Sequence, residues 1–526
     1  FEACVGQVLP QPETCNTPED DDCDGEANEE GVGCVCLPNS PVGCYGGPAG
    51  TQGVGQCSAG TSVCNDQGTA IGACTGEVLP AFESCDTNAD ENCDGFDSCS
   101  GAGVWGRRFG NSSDQEGFGI AGDGSGNVFI TGRFQGIVNF GGGSLFSSGN
   151  DIYLAKLDAN GNHLWSKAFG DVNNNIGYRV AVDSAGNVIA VGYSSGTLNF
   201  GGGPLSSGGG IDIFVAKFDG DGNHLWSKQF GQAMDQHVYD VAVDGSDNVV
   251  LTGRMQGTID FGGGPLTVPV GPRTFIAKLD PGGNHLWSKV MTSGYQYAYG
   301  VATDPDDGVI VTGTLAGSTD FGGGVVPHAG SNDIFVAKFD FAGNHVWSKG
   351  IGDATNQNGW DVATDGWGNV IITGRYGGVI DLGGGPIGPA SGEYDTFVTK
   401  YDVDGNHLWD ETFGGGGLDQ GYGITVDAED NIVVIGYFAQ TVDFGFGPLV
   451  SDPGGTDIFA AKFDADAAVI WARSFGSTTS EDAWAVATDP LGNVLITGVF
   501  YSTINFGTGT LTSSGGDDIF VAKLAP

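Results

Sequence analysis

The chain has 526 residues, a formal net charge of −45 and 96 glycines, and only 16% of its residues are charged. The length predicts two or more domains, and the glycine content favours short strands and tight turns over long helices. The negative charge argues against nucleic acid as a partner. The sequence contains no stretch of 18 apolar residues, the length that would be needed to span a membrane as a helix.

Twelve cysteines lie between Cys4 and Cys99, and the following 427 residues contain none. An even number in a short segment is typical of disulfides formed in an oxidising compartment, so we predict an extracellular or cell-surface protein. A zinc site is the alternative, but the segment has no histidine and no CxxC pair. The spacing leaves the connectivity open among Cys4, Cys15, Cys23, Cys34, Cys36, Cys44, Cys57, Cys64, Cys74, Cys85, Cys93 and Cys99.

The cysteine-rich region contains a duplication, because GQVLPQPETC recurs as GEVLPAFESC with the same cysteine spacing around it. We therefore predict a first repeat at residues 1–33, a cysteine-rich spacer at 34–73 and a second repeat at 74–103. The chain begins at Phe1, and we expect a targeting segment to lie outside this sequence.

Each repeat ends in an acidic loop of the form D-x-[DN]-x-D-G, the first half of an EF-hand-type loop. Oxygen side chains at alternate positions can converge on one hard cation, and closely spaced carboxylates repel one another without one. Neither loop has the full twelve-residue pattern, so a solvated acidic turn is the alternative. We predict calcium, bound by Asp20, Asp22, Asp24 and Asn28 in the first loop and by Asp90, Asn92 and Asp94 in the second.

These loops resemble the metal-binding Cys/Asp repeats of secreted myxobacterial-type proteins, over about residues 15–30 and 85–97. The resemblance implies a secreted or surface protein with metal-binding linker modules and no enzymatic activity. Proteins of this kind are sometimes labelled copper-binding, but carboxylate and amide oxygens suit calcium better.

From Val104 onward a period of about 61 residues dominates, and each copy contains four strand-like runs separated by Gly/Asn/Asp turns. This pattern predicts an all-β, seven-bladed propeller with four-stranded blades over residues 104–526. The copies are marked by Trp105, Trp165, Trp226, Trp287, Trp347, Trp409 and Trp471.

The ends of the repeat region predict how the ring closes. The region begins with a lone fourth strand, Val104–Gly110, and ends after a third strand, Asp518–Leu524. We expect the two segments to pair within one blade, because closure leaves only short, protected strand edges.

Through GNVxxTG and DxFVAKxD, residues 104–526 resemble the bacterial SBBP-type β-propeller repeat family. The resemblance implies an extracytoplasmic propeller and says little about activity. Propellers include binding proteins, lyases and hydrolases, so the fold alone does not select a function.

Several repeated residues are interpreted as framework. Ser194 lies in a G-x-S-x-G match at a strand end, where a nucleophile elbow is not expected. The histidines of GNH[LV]W recur one blade apart and cannot converge on one metal, and the D-x-[DN]-G-N and FGGG segments are interpreted as turns. The lysines of VAK and WSK are expected to place their ammonium groups at the rim.

The connections from the fourth strand to the next first strand vary between copies, and variation on a constant scaffold is where binding sites are built. Each connection leads to an aromatic residue, namely Phe118, Tyr178, Tyr239, Tyr299, Trp360, Tyr422 or Trp484. We predict a ligand face at the channel mouth, with solvated polar loops as the alternative. Its predicted residues are Gln115, Arg179, Gln236, Asp240, Gln296, Gln357 and Asp361.

No catalytic residue is predicted, since only His237 and His328 are histidines outside the framework. We therefore predict a non-enzymatic structural or binding protein, stabilised by calcium, whose partner is a copy of itself in an extracellular fibre, another surface protein or a glycan. A carbohydrate-binding propeller and a propeller lyase or hydrolase acting at the channel mouth are the alternatives.

Overall fold

The structure is a computed structural model that describes residues 36, 39–47, 52–53, 56–66, 70–79 and 101–526. The chain divides into two units, residues 1–99 and 100–526. The predicted calcium ligands lie outside the described residues: Asp20, Asp22, Asp24, Asn28, Asp90, Asn92 and Asp94. So do Cys4, Cys15, Cys23, Cys34, Cys85, Cys93 and Cys99.

The first unit contains disulfides, as its cysteine content predicts. Cys36 is bonded to Cys64 and Cys44 to Cys74, and Cys57 is disulfide-bonded as well. These bridges supply the connectivity that the sequence left open at these positions.

The bridges lie around a small antiparallel sheet in which Pro41–Cys44 pairs with Gly60–Val63. An isolated antiparallel β-bridge, formed by backbone hydrogen bonds, joins Thr61 to Thr75. This pairing and the Cys44–Cys74 disulfide both cross position 73/74, where the sequence analysis divides the spacer from the second repeat.

The second unit is a propeller of seven four-stranded antiparallel sheets, as predicted. We label the strands of each blade a to d in the order in which they pair. Strands a are Gln115–Gly122, Asn175–Val182, Gln236–Val243, Gln296–Thr303, Gln357–Thr364, Gln420–Val426 and Asp482–Thr488. Strands b are Val128–Phe134, Val188–Ser194, Val249–Ile259, Val309–Leu315, Val370–Tyr376, Ile432–Phe438 and Val494–Phe500.

The outer half of each blade is formed by strands c and d. Strands c are Asp151–Leu157, Asp212–Phe218, Leu266–Leu279, Asp333–Phe339, Asp395–Tyr401, Asp457–Phe463 and Asp518–Leu524. Strands d are His163–Phe169, His224–Phe230, His285–Val290, His345–Ile351, His407–Phe413, Val469–Phe475 and Gly103–Phe109. In six blades strand c is buried along its whole length, which explains the apolar run I-F-V-A between its first aspartate and its lysine.

Blade 7 closes the ring as predicted. Gly103–Phe109 pairs antiparallel with Asp518–Leu524, which in turn pairs with Val494–Phe500. The first and last strands of the propeller therefore lie side by side in one sheet, and no blade is left incomplete.

Short hairpins follow strand b in six blades: Ile137–Asn139 with Ser144–Phe146, Thr197–Leu198 with Leu205–Ser206, Thr319–Asp320 with Val325–Val326, Ile380–Asp381 with Pro386–Ile387, Thr441–Asp443 with Pro448–Val450, and Thr503–Asn505 with Thr510–Thr512. In blade 3 the hairpin is continuous with strands b and c. Among the described residues, no helix is long and apolar enough to cross a membrane.

The lysines of strand c are buried, so the prediction that their ammonium groups lie at the rim is wrong for this set. In blade 3, Lys278 Nζ lies 2.7 Å from Asp244 Oδ2 in the turn between strands a and b. A buried charge is tolerated when it is paired and hydrogen-bonded, and the aspartate supplies both. The other pairs are Lys156–Asp123, Lys217–Asp183, Lys338–Asp304, Lys400–Asp365, Lys462–Asp427 and Lys523–Asp489.

The same lysines and the tryptophans of strand d connect neighbouring blades. Lys156 Nζ and Trp165 Nε1 both donate to Gly220 O in the next blade, each at 3.1 Å. The turn glycine Gly222, at φ +82°, packs against the Trp165 ring, where a Cβ would come within 2.9 Å of the indole. This arrangement explains why lysine, tryptophan and glycine recur together in the repeat.

The other repeated residues are framework, as interpreted from the sequence. His163 Nε2 lies 3.0 Å from Ser166 Oγ in its own strand. Ser194 is fully buried and donates to Asn175 Oδ1 at 2.7 Å, so its hydroxyl is not presented to solvent. Asp158 accepts two backbone N–H bonds of its own turn at 2.9 and 2.8 Å, which is an Asx turn.

Candidate functional site

Strand a of every blade contains a β-bulge at the same position. A bulge redirects one side chain out of the regular alternation of the strand. The redirected residue is always aromatic: Phe118, Tyr178, Tyr239, Tyr299, Trp360, Tyr422 and Trp484. These are the aromatic residues that the sequence analysis placed after the variable connections.

The seven side chains form a closed ring around the propeller axis, which we call the aromatic ring. Successive ring centroids lie 4.6 to 6.1 Å apart, and Phe118 contacts Trp484 across the closure. Within the described part of the chain, the indole N–H groups of Trp360 and Trp484 are buried and have no hydrogen-bond partner. The axis is thus lined by aromatic rings, two of which have buried N–H donors that are unused in the described structure.

An axial chamber of about 160 Å³ is lined by residues of all seven blades. Its apolar wall comes from the second residue after each bulge: Ile120, Val180, Val241, Val301, Val362, Ile424 and Val486. In the sequence, one residue lies between the bulged aromatic residue and the wall residue. This residue is small in four blades and charged in three. The charged ones are Arg179, Asp240 and Asp361, all of which the sequence analysis assigned to the ligand face.

The three charged residues are held by the backbone of neighbouring blades. Arg179 Nε lies 3.7 Å from Asp240 Oδ1, and its guanidinium donates to Phe118 O. Asp240 Oδ2 accepts from Val301 N at 2.8 Å. Asp361 accepts from Ile424 N at 2.9 Å and from its neighbouring amide at 2.8 Å.

The chamber carboxyls titrate close to neutral pH. Burial raises the pKa of Asp240 to about 6. Burial, and then the charge of Asp240, raises the pKa of Asp361 to about 7. Perturbed carboxyls in a cavity are a common feature of functional sites and also occur in purely structural networks.

The four predicted glutamines lie away from the chamber. Each is fully buried three residues before the bulge and bonds to other segments of its own blade. In blade 3, for example, Gln236 Nε2 donates to Gln256 O at 2.7 Å. The partners elsewhere are Gln135 O for Gln115, Thr319 Oγ1 for Gln296 and Gly377 O for Gln357. These amides hold loops together and expose no ligand surface, which corrects their expected place at the mouth.

The sequence analysis missed three arginines beside the aromatic ring, although a signal was present in the repeat. Arg133, Arg254 and Arg375 follow the TG of strand b in blades 1, 3 and 5. Each pairs in register with strand a two residues before the aromatic ring, at Glu116, His237 and Asn358 respectively.

The three arginines differ in their partners. Arg133 forms a salt bridge with Glu116, with Nε 3.0 Å from Oε2. Arg375 Nε donates to Asn358 Oδ1 at 3.2 Å, and its guanidinium lies 4.2 Å from the Tyr394 ring centroid. These two groups are therefore satisfied within the protein.

Arg254 is half-buried and lies 5.8 Å from the ring centroid of Tyr297. Within the described residues, it forms no ion pair and no hydrogen bond. Its in-register neighbour His237 is turned toward Tyr193, with ring centroids 4.6 Å apart. Burial, and then the charge of Arg254, lowers the pKa of His237 to about 4, so the imidazole is neutral at pH 7.

The tyrosines near Arg254 keep their protons. Burial raises the pKa of Tyr193 to about 12 and that of Tyr299 to about 12, and it also raises the pKa of Tyr239. Their hydroxyl groups can therefore donate hydrogen bonds at any physiological pH.

No protein-family model matches the chain. An uncharacterized WD repeat-containing protein of Acanthamoeba polyphaga mimivirus is 22% identical over 445 residues, covering 65% of this chain and 31% of that protein. The regulatory protein FlaEY of Caulobacter vibrioides is 26% identical over 179 residues, covering 32% of this chain and 18% of that protein. The chain therefore spans less than a third of the length of either relative.

Among solved structures, Sqt1 from Chaetomium thermophilum aligns with a TM-score of 0.38 and 12% identity over 78% of this chain and 87% of that chain. A gluconolactonase of Xanthomonas campestris has a TM-score of 0.30 and 12% identity over 62% of this chain and 84% of that chain. A WD repeat-containing protein is thus among the relatives of this seven-bladed propeller, while the SBBP-type and Cys/Asp-repeat resemblances have no matching family model.

Proposed function

We propose that this protein is a non-enzymatic extracellular binding protein that holds a carbohydrate at the aromatic mouth of its propeller. The observation that carries the proposal is the closed aromatic ring, with the unpartnered indole N–H groups of Trp360 and Trp484. The disulfides Cys36–Cys64 and Cys44–Cys74 support an oxidising compartment, and the SBBP-type resemblance is consistent with an extracytoplasmic site.

A sugar suits this mouth because it has both flat C–H faces and many hydroxyl groups. Aromatic rings supply apolar faces, and tyrosine hydroxyls and indole N–H groups supply directed hydrogen bonds. A purely apolar ligand would leave the tryptophan donors unsatisfied, which costs about 1–3 kcal/mol for each buried group.

The test is a glycan array followed by calorimetric titration of the best ligand. We expect Trp360→Ala to weaken binding at least tenfold, because stacking area and a donor are both lost. Trp367→Ala is the matched control, since Trp367 is exposed in an a–b turn at the other end of strand a. An array without any bound glycan, or equal effects of the two substitutions, would contradict the proposal.

A hydrolase or lyase is the second candidate, and the chamber carboxyls Asp240 and Asp361 are the observation that favours it. Turnover of the bound glycan, lost in Asp361→Asn but not in Trp367→Ala, would establish this alternative. Binding without turnover would favour the non-enzymatic function.

We further propose that the two acidic loops bind calcium and stiffen the cysteine-rich region, which would then serve as a spacer or assembly module in an extracellular fibre. The support is the repeated D-x-[DN]-x-D-G pattern at Asp20–Gly25 and Asp90–Gly95. Incomplete loops predict weak affinity, on the order of 10⁻⁴–10⁻³ M. Calorimetric titration should show binding heat that falls in Asp22→Ala and Asp94→Ala, and light scattering in calcium would report assembly. Heat unaffected by both substitutions would identify ordinary acidic turns.

A further inference from the structure

We propose that the mouth is selective for acidic sugars, with Arg254 binding the carboxylate of a uronic acid residue. This inference rests on the proposed carbohydrate function and assigns the ligand class. The equivalent arginines Arg133 and Arg375 have hydrogen-bond partners in the protein, whereas Arg254 has none among the described residues.

Blade 1 shows how a carboxylate is bound at this position. There, Arg133 donates to the carboxylate of Glu116, on the paired strand, through two N–H groups, one of which is Nε at 3.0 Å. A two-point contact between a guanidinium and a carboxylate is strong and geometrically specific. In blade 1 the protein thus supplies its own anion.

Blade 3 has the same arginine but no such anion. His237 stands in register where Glu116 stands in blade 1, and its ring packs on Tyr193 instead of Arg254. Among the described residues, the guanidinium of Arg254 is therefore a half-buried cation without a salt-bridge partner, in a chain of net charge −45.

The surroundings of Arg254 consist of uncharged groups that can donate hydrogen bonds. Tyr297 lies beneath the guanidinium, and Tyr299 lies 6.2 Å from Tyr297 in a stacked arrangement. The in-register neighbour on strand c is Thr274, which is fully buried and whose hydroxyl has no partner in the described part of the chain. Positive charge, tyrosine hydroxyl groups and stacked rings together match a sugar that carries a carboxylate.

The negative charge of the whole chain means that an acidic ligand must be recognised by direct contacts. A net charge of −45 repels acidic polymers in general, so nonspecific anion attraction does not account for binding at this site. A ligand that binds here must gain its affinity from direct contact with Arg254 and the neighbouring rings.

The experiment compares trigalacturonate with its carboxyl-reduced, neutral counterpart by calorimetry on the full chain. We expect the wild type to bind the acidic trisaccharide about tenfold to hundredfold more tightly, as a charged hydrogen-bonded contact predicts. Arg254→Met should remove this preference, and Arg473→Met on an outer strand should leave both affinities unchanged.

A second variant keeps the test valid if Arg254→Met folds poorly. His237→Glu introduces in blade 3 the carboxylate that blade 1 already has, so it should occupy Arg254 and lower affinity for trigalacturonate at least tenfold. Equal wild-type affinity for both trisaccharides, or a preference that survives both substitutions, would overturn the inference. If neutral glycans still bind and depend on Trp360, only the acidic selectivity fails, whereas loss of all glycan binding refutes the proposed function itself.

Discussion

At the scale of single residues, the position three residues before the bulge shows how one substitution changes the physics of a repeated site. Four blades place a buried glutamine there, whose amide N–H donates within the blade, and in three of them the amide oxygen also accepts a backbone N–H. Blade 6 has Asp419 instead, which is fully buried and accepts from Gly415 N at 2.8 Å. Its Oδ1 atom has no partner within the described residues.

The pKa of Asp419 makes the stability of the propeller depend on pH. Burial raises this pKa to about 7 from an ordinary value of 3.8. The folded state therefore disfavours the ionised carboxyl. The contribution of the protonated Asp419 to the free energy of unfolding is complete below about pH 4 and is lost as the pH rises through 7.

We predict that Asp419→Asn raises the melting temperature at pH 8 and changes it little at pH 4. The asparagine keeps an acceptor for Gly415 N and removes the buried charge, which is worth a few kcal/mol at most. Thermal melts at both pH values provide the measurement. Asp219→Asn is the control, because hydrogen bonds from Asn223 lower the pKa of Asp219, so removing its charge should not raise the melting temperature at pH 8. A variant that melts lower than wild type at pH 8 would contradict the prediction.

At the scale of elements, the blades are joined by a lysine, a tryptophan and a turn carbonyl that repeat around the ring. Lys217 and Trp226, for instance, both donate to Pro281 O, at 3.3 and 2.9 Å. At the seam between blades 6 and 7, Gly101 packs on the Trp471 ring as the turn glycines do elsewhere. The indole N–H of Trp471 has no partner among the described residues, so this seam lacks the tryptophan hydrogen bond that joins the other neighbouring blades.

We predict that Lys278→Met lowers the free energy of unfolding by about 3–5 kcal/mol, because it leaves the carboxylate of Asp244 buried and unpaired. Lys289→Met is the matched control. Its ammonium lies 5.6 Å from the Phe339 ring centroid and pairs with no carboxylate in the described structure, so the loss should stay below about 1 kcal/mol. Denaturant titration monitored by tryptophan fluorescence gives both values.

The pairing explanation can be separated from lost packing. Adding Asp244→Asn to Lys278→Met neutralises the stranded carboxylate while keeping an acceptor for the turn amides of Ser246 and Asn248. The double variant should recover most of the lost stability. A double variant as unstable as the single one would show that packing of the lysine chain dominates.

At the scale of the whole molecule, stability depends on the strand that closes the ring. Gly103–Phe109 is the only cover for the outer edge of Asp518–Leu524 in the blade 7 sheet of the described structure. Deleting residues 104–110 should therefore lower the melting temperature sharply, since an apolar strand edge would be exposed. Phe109→Ala should show a smaller loss, of about 3–5 kcal/mol for a buried phenylalanine, and Val104→Ala almost none, because Val104 is half-exposed. A deletion that melts like the full chain would refute closure.

The disulfide framework extends over the whole cysteine-rich unit in the sequence-based prediction. Mass measurement after alkylation, with and without reduction, should show twelve protected thiols in six disulfides. Peptide mapping should recover Cys36–Cys64 and Cys44–Cys74. Free thiols with bound zinc would show that the cysteines serve a metal instead.

The sequence by itself determined the number of blades, the strand order and the closing strand, because each follows from local periodicity and from the position of the fragments within one repeat. It also identified the aromatic residues and placed Arg179, Asp240 and Asp361 at the axis. The fixed repeat period carries these predictions, since what holds for one blade holds for seven.

Only the tertiary structure decided which polar residues are available to a ligand. A glutamine such as Gln236 and an arginine such as Arg254 look equally polar in the sequence, yet the first is bonded to the Gln256 carbonyl and the second forms no hydrogen bond or ion pair within the described residues. The prediction that the strand c lysines lie at the rim was wrong for the same reason, because their counterions come from a turn some 30 residues away in the chain. Burial and pairing depend on contacts between distant segments, and a repeat pattern contains no information about which members are already satisfied.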